Sequence, residues 1–385
     1  MTYEIEERLL HFKQPAGTSR GVYTTRKIWL VYLSDGDKTG VGECAPLPDL
    51  SCDAGPDYRE KLEFFCAEFC RWQESQRGQS LMCSAGFAHE GQSPCDSMRD
   101  YPSMLFGLET ALLSLQSQEL PAPEASQGDC PLCEEFPAPV GEGSGVGSIK
   151  LFNTAFSRGE EGIPINGLVW MGNYDEMLHR MEEKLKKGFR CVKLKIGAID
   201  FEQELDLVKR IRDRFSFHEV ELRLDANGAF PFEDALYKLE LLSQYAIHSI
   251  EQPIRQGQWA YMAELCRESP LPIALDEELI GVNDPEMKAY MLNIIKPRYI
   301  ILKPSLHGGM MGCREWIQIA KSQGIGSWIT SALESNIGLN AIAQFASDVY
   351  GPHITMPQGL GTGQLFTDNI PMPLEIRGDQ LWRCL

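Results

Sequence analysis

The sequence has no apolar run long enough to span a bilayer, and its start, MTYEIEERLL, has neither a basic leader nor an apolar core. A secretory signal and a membrane anchor are therefore not expected, and the expected location is the cytoplasm. Basic residues are also in short supply, with 36 Lys and Arg against 54 Asp and Glu and a net charge of −18. That balance repels nucleic-acid phosphates and anionic lipid, so the expected partner is neither of these, and an anionic substrate would need a local cluster of cations. The twelve cysteines are scattered, which fits reduced thiols. Only Cys130 and Cys133 form a Cys-x-x-Cys pair, and without a second pair or a nearby His its spacing reads as incidental.

What is present is a change of texture along the 385 residues, more than one core usually holds. Residues 3–12, 26–33 and 38–45 read as strands, with Asp35-Gly36-Asp37 as turn chemistry between the last two. Residues 57–73 and 103–118 carry apolar side chains at helical spacing, so 1–120 is expected to be an α+β domain. The stretch 75–102, rich in Gly, Ser and Cys, reads as a loop, and 121–162 as an irregular linker whose Pro-, Gly- and Glu-rich part is 121–147. Beyond it, short apolar runs alternate with amphipathic segments, the pattern of repeated βα units. Eight strands are expected, at 165–170, 191–195, 220–225, 247–251, 272–276, 299–303, 326–330 and 353–357, and eight parallel strands close a barrel, placed at 163–362. Residues 363–385 have room to return to the first domain.

Lys195, Asp225, Glu251, Asp276 and Lys303 each stand at the last position of an expected strand, with successive separations of 30, 26, 25 and 27 residues. The C-terminal ends of barrel strands converge on one face, so five charged groups are expected in one pocket. Three carboxylates suit a hard divalent cation such as Mg²⁺, and lysines on either side supply a base and a countercharge for removing a proton next to a carboxylate. Lys193 lies two residues before Lys195, hence on the same strand face and one layer deeper. Any one of these residues alone is more readily explained as a helix cap or a solvated charge. Five in register after apolar runs such as IIL and IAL are not.

At these residues the sequence resembles the enolase superfamily, more narrowly its muconate-lactonising subgroup: KLKIG at 193–197, LDANGAF at 224–230, IEQP at 250–253, LDE at 275–277 and LKPS at 302–305. Within that subgroup GECAPLPDLS at 42–51 and SALESNIGLNAIAQFAS at 331–347 are similar to the o-succinylbenzoate synthase family of dehydratases. The resemblance implies a TIM-type (β/α)7β barrel with an α+β capping domain. It implies Asp225, Glu251 and Asp276 as Mg²⁺ ligands, with Mn²⁺ as a substitute, Lys195 as the base, Lys303 opposite it and over the substrate ring, and Lys193 as a retained charge. The implied substrate is a small carboxylate, 2-succinyl-6-hydroxy-2,4-cyclohexadiene-1-carboxylate, dehydrated to 2-succinylbenzoate. Asn227 reads equally as a substrate or metal neighbour and as part of an Asn-Gly turn. Ser331, Gly361 and Thr362 are placed to meet the succinyl end, against a plain loop role for each. Segments 15–21 and 45–51 are expected lids, with Ser19 and Arg20 facing substrate, although surface loops are the default for such residues.

The inserts 75–102 and 121–147 depart from the family pattern without touching the barrel motifs. An N-acylamino-acid racemase or dipeptide epimerase would use the same five barrel residues, but the Asp-x-Asp that would favour an amine substrate is absent from ITMPQGLGTG at 354–363. A non-catalytic binding protein on the same fold is disfavoured because no member of the constellation is missing. The oligomeric state is not written in these patterns.

Overall fold

The computed structural model describes residues 1–18, 21–76, 97–118 and 149–384. Ser19, Arg20, Cys130, Cys133, the insert 121–147 and residues 77–96 of the other insert lie outside them.

The chain opens with an antiparallel meander, β1 (Thr2–Thr18), β2 (Gly21–Asp35) and β3 (Lys38–Cys44). Two helices cover it, α1 (Tyr58–Gln76) and α2 (Pro102–Ser117). β3 approaches α2 closely because glycines face it. A Cβ at Gly42 would come within 1.9 Å of the Gly107 carbonyl oxygen, and one at Gly40 within 2.1 Å of that of Ala111. Val31, Leu33, Leu62, Phe69, Met104 and Leu108 fill the space between the layers, each stabilising the fold by roughly 1.5–3 kcal/mol when fully buried.

Of the segment 15–21, expected as a lid, residues 15–18 and 21 belong to the β1–β2 hairpin. The register shifts between His11 and Ala16, and Ala16, Gly17 and Thr18 then pair with Tyr23, Val22 and Gly21. Pro15 falls inside the irregularity, where no ladder donor is required. Gly17 seats this hairpin end on the barrel, since a Cβ there would stand 2.9 Å from the Met171 carbonyl oxygen.

β4 (Ile163–Pro164) leads into the barrel, whose sheet begins with β5 (Gly167–Val169). It continues through α3 (Tyr174–Lys186), β6 (Cys191–Lys195), α4 (Phe201–Arg214), β7 (Glu221–Asp225), α5 (Phe232–Ser243), β8 (Ser249–Glu251) and α6 (Trp259–Glu268). It ends with β9 (Ile273–Leu275), α7 (Pro285–Ile295), β10 (Tyr299–Leu302), α8 (Gly309–Ser322), β11 (Gly326–Ile329) and α9 (Asn336–Tyr350). β5 to β11 pair in parallel and in sequence order. Helix limits follow local chemistry: α3 opens with a reciprocal capping box between Asn173 and Glu176, and Gly188 follows its end at φ 84°.

The eighth strand is not at 353–357. That stretch follows Pro352 and holds His353 at φ 62° and Pro357, so it can neither stay extended nor donate at Pro357. Closure falls to the next two residues, with Gln358 bridging Ile165 and Gly359 bridging Thr330, both in parallel. Beneath the mouth the interior is filled, with the Arg223 guanidinium 4.4 Å from the Trp328 ring centre and 2.7 Å from Glu221.

After the barrel, residues 365–367 run beside β1, with Lys13 N–H donating to Leu365 O at 2.8 Å and Thr367 N–H to His11 O at 2.9 Å. The last hairpin, β12 (Leu374–Arg377) and β13 (Gln380–Arg383), pairs with β4.

Candidate active site

The barrel register sets the site. Lys195 pairs with Asp225 and Asp225 with Glu251, so these three residues share one layer, and Lys193 pairs with Arg223 one layer below. Asp276 and Lys303 follow the last residues of β9 and β10 directly. Lys193, Lys195, Asp225, Asn227, Lys303, Ser331, Gly361 and Thr362 line a single pocket at the C-terminal mouth. Glu251 and Asp276 stand immediately behind the lysines: Lys193 Nζ contacts Glu251 Oε2, and Lys303 Nζ contacts Asp276 Oδ2. Ser19 and Arg20 lie outside the described residues.

Lys195 Nζ is 2.8 Å from Asp225 Oδ2 and donates to Asn227 Oδ1 at 2.7 Å. Asn227 forms the turn read from the sequence and also lines the pocket. Its φ of 45° and that of Gly228, 74°, make the turn, while its side-chain amide spans from Lys195 to Glu277 Oε1, 3.0 Å away. It orients the lysine.

Lys193 Nζ also lies 2.9 Å from Asp225 Oδ2. Burial pulls the Lys193 ammonium toward deprotonation, but Asp225, Glu251 and Asp276 outweigh this and hold it protonated, above the usual lysine range. Burial likewise opposes ionisation of Asp225, which Lys193 and Lys195 nevertheless hold far below the ordinary carboxylate range. Glu251 goes the other way: burial first, then the Asp225 charge, raise its carboxyl well above its ordinary value. Lys303 lowers Asp276 against its burial. Three carboxylates thus crowd one space, and Glu251 is the one whose ionisation burial and the Asp225 charge oppose most.

That crowding bears on a metal. Glu251 Oε1 and Asp276 Oδ1 are buried carboxylate oxygens that accept no hydrogen bond among the described residues, a costly state that a bound cation would relieve. Among the described residues no three acidic, His or Cys side chains converge on one point, because the ammonium groups of Lys193 and Lys303 take up the carboxylate oxygens. The donor set is all oxygen and anionic, as a hard divalent ion requires, so the residues fit one by their chemistry.

The distal wall carries its own hydrogen-bond chain. The Thr362 hydroxyl donates to Ser331 Oγ at 2.9 Å, and Ser331 donates in turn to Glu334 Oε2 at 2.6 Å. Ser331 and Thr362, expected to meet the succinyl end, both line the pocket, with their hydroxyls in this chain. Gly361 opens a 3₁₀ turn (Gly361–Gln364) against the pocket. The segment 45–51, expected as a lid, contributes Leu47 and Leu50 to the pocket lining.

The sequence reading missed Tyr23, Asn166, Leu168, Trp170 and Leu333, all in the lining. Trp170 ends the first expected strand, so the rule that found the lysines could have found it; its ring centre lies 5.8 Å from Lys195 Nζ. His307 accepts the Lys303 backbone N–H at 2.9 Å, and burial lowers its imidazole to about 3, leaving it neutral. Four residues after Lys303, it fixes the backbone that carries the lysine.

Comparison with known proteins places this geometry. Residues 176–377 match the family model described as enolase C-terminal domain-like. The o-succinylbenzoate synthase of Desulfotalea psychrophila is 44% identical over 97% of this chain and 96% of its own length. The crystal structure of MenC from Desulfotalea psychrophila superimposes with a TM-score of 0.77 at 38% identity, covering 99% of both chains. The substrate-liganded L-Ala-D/L-Glu epimerase from Bacillus subtilis, at 19% identity, shares the fold with a TM-score of 0.73 over 100% of this chain and 96% of its own. Members of this family use a divalent metal ion, typically Mg²⁺. With the lysines and carboxylates ranged on consecutive strand ends and the match running through them, the chain belongs to the enolase superfamily.

Proposed function

We propose that the protein is an o-succinylbenzoate synthase, a lyase that dehydrates 2-succinyl-6-hydroxy-2,4-cyclohexadiene-1-carboxylate to 2-succinylbenzoate in menaquinone biosynthesis. The observation that carries this reading is the 44% identity, across nearly the whole of both chains, to a protein of that name. Its expected setting is the cytoplasm; among the described residues no helix is long and apolar enough to cross a membrane. We assign residues 1–120 to the capping domain, 121–162 to a linker, 163–362 to the catalytic barrel and 363–385 to the segment returning to the cap.

Asp225, Glu251 and Asp276 would hold Mg²⁺, with Mn²⁺ as a substitute. When bound, the ion supplies positive charge to the ring carboxylate, which acidifies the neighbouring C–H. Lys195 takes that proton; its contacts with Asn227 and Asp225 keep Nζ aimed across the mouth. The C–O bond then breaks and the departing hydroxide takes the proton back from Lys195, leaving as water and making the ring aromatic. Lys303, held by Asp276 on the opposite side, and the permanently charged Lys193 offset the negative charge that grows on the substrate. Trp170 covers Lys195 and keeps water from it.

The test is turnover of the cyclohexadiene substrate by purified protein with Mg²⁺, followed as loss of diene absorbance, beside N-succinyl amino acids followed by optical rotation. Rapid dehydration supports the reading. Racemisation without dehydration would transfer the same residues to racemase chemistry.

A further inference from the structure

Arg26 sits on β2 in the segment TTRKIW and is 3% exposed, although it carries a charge. A buried guanidinium persists only when its donors are satisfied. Here the acceptors are backbone carbonyls, drawn from two distant parts of the chain. On one side Nη1 donates to Pro46 O and Nη2 to Ala45 O. On the other Nε donates to Leu333 O at 3.1 Å and Nη2 to Ala332 O at 3.4 Å. Glu334 and Glu43 lie close enough to favour the charge without a direct bond to it.

Both parts are pocket wall. Ala45 and Pro46 lead into Leu47 and Leu50, and Ala332 and Leu333 line the pocket themselves. Leu333 also holds φ at 68°, a left-handed conformation that a branched side chain adopts only when its surroundings impose it. Its N–H is held by Ser331 Oγ at 3.1 Å and its carbonyl by Arg26. The guanidinium therefore ties the cap wall to the barrel wall.

We infer that Arg26 is a positioning residue that sets the depth of the pocket away from the lysines, and so selects the length of the acyl chain next to the ring carboxylate. This rests on the proposed reaction. A lysine at 26 keeps the charge but offers its donors from one atom, so it cannot span the two segments as a planar fork does.

The experiment compares the unsubstituted protein with Arg26→Lys and Arg26→Met in the presence of Mg²⁺. Calorimetry reads the binding of 2-succinylbenzoate and of its homologue with one more methylene, and steady-state kinetics reads KM and kcat on the diene. One methylene in a fitted pocket is worth about 10- to 200-fold in discrimination. The unsubstituted protein should prefer the succinyl compound by at least about tenfold, and Arg26→Lys should compress this to about twofold, with KM rising more than kcat falls. Unchanged discrimination in folded Arg26→Lys, with only a lower melting temperature, would overturn the assignment by reducing Arg26 to a structural tie. Should Arg26→Met fail to fold, Arg26→Lys decides alone. Failure of the unsubstituted protein to dehydrate the diene would count against the reaction, while the binding ratio would still decide the role of Arg26; no preference for the succinyl compound in the unsubstituted protein would overturn the role of Arg26.

Discussion

Lys193 and Lys195 are chemically alike and two residues apart, yet their neighbours divide their work. Lys193 is wedged between two carboxylates that hold it protonated, so it is unsuited to accept a proton, whereas Lys195 shares one carboxylate oxygen and is steadied by the neutral amide of Asn227. Replacing Lys195 by Ala should lower kcat by about 10²- to 10⁴-fold, the usual worth of a positioned base, while Mg²⁺ and product binding stay measurable by calorimetry. Normal turnover would remove it as the base. Glu251 poses a second residue-scale question, because its raised carboxyl and its unpartnered Oε1 both follow from crowding that a cation would relieve. Glu251→Gln should weaken Mg²⁺ activation by more than the roughly 10- to 100-fold that loss of an outer partner costs. A Mg²⁺ titration identical to the parent's would remove Glu251 from the ligand set. These charges were legible in the sequence because each ends an apolar run at barrel spacing. Arg26 was not, because its partners lie at 45–46 and 332–333 and a buried charge on a strand looks like any other.

Among the elements, two cap carboxylates reach into barrel helices. Glu43 on β3 accepts from Ser335 N–H at 2.8 Å and Gly338 N–H at 2.9 Å at the start of α9. Glu109 on α2 accepts from Met310 N–H at 2.6 Å and Met311 N–H at 2.9 Å at the start of α8. Helix N-termini favour an anion, but burial dominates, and each carboxyl is pushed up from 4.5 to about 7. A carboxyl raised in the fold contributes stability that is full below about pH 4.5 and is lost as pH rises through 7. Glu43→Gln and Glu109→Gln remove that titration. Relative to the parent, each variant should therefore gain stability between pH 5 and pH 8, approaching roughly 3 kcal/mol for a shift of this size. Denaturant melts at the two pH values read it, and parallel changes in parent and variant would show the carboxyls ionised throughout. By contrast, Asn173→Ala removes a cap on the barrel exterior. It should cost about 1 kcal/mol in the same melts and leave KM and kcat as they were. The capping box and the Gly188 stop could be read from sequence, since both are local; the two cross-domain caps could not, because Glu43 and Glu109 carry no local signature of their partners.

For the whole molecule, the question is how a barrel closes when its eighth strand is two residues long. Apolar periodicity found seven strands and misplaced the last, because residues 354–356 look extended while His353 and the flanking prolines prevent pairing there. Closure depends on Gln358 and Gly359, and both are committed by side-chain geometry. The Gln358 side chain accepts from Ile329 N–H at 2.7 Å and donates to Met356 O at 2.8 Å. Gly359 lies so close to Thr330 that a Cβ would stand 1.9 Å from Thr330 Oγ1 and 2.4 Å from its Cβ. Gly361, two residues on, has no atom nearer than 3.5 Å to the same added carbon. Gly359→Ala should therefore force the last strand away from β11 and destabilise the protein by about 1–3 kcal/mol, the usual effect of overpacking. Gly361→Ala should stay within about 0.5 kcal/mol of the parent. Thermal melts of the two variants side by side check the seam, because equal melting temperatures would mean that closure does not depend on the approach of Gly359 to Thr330.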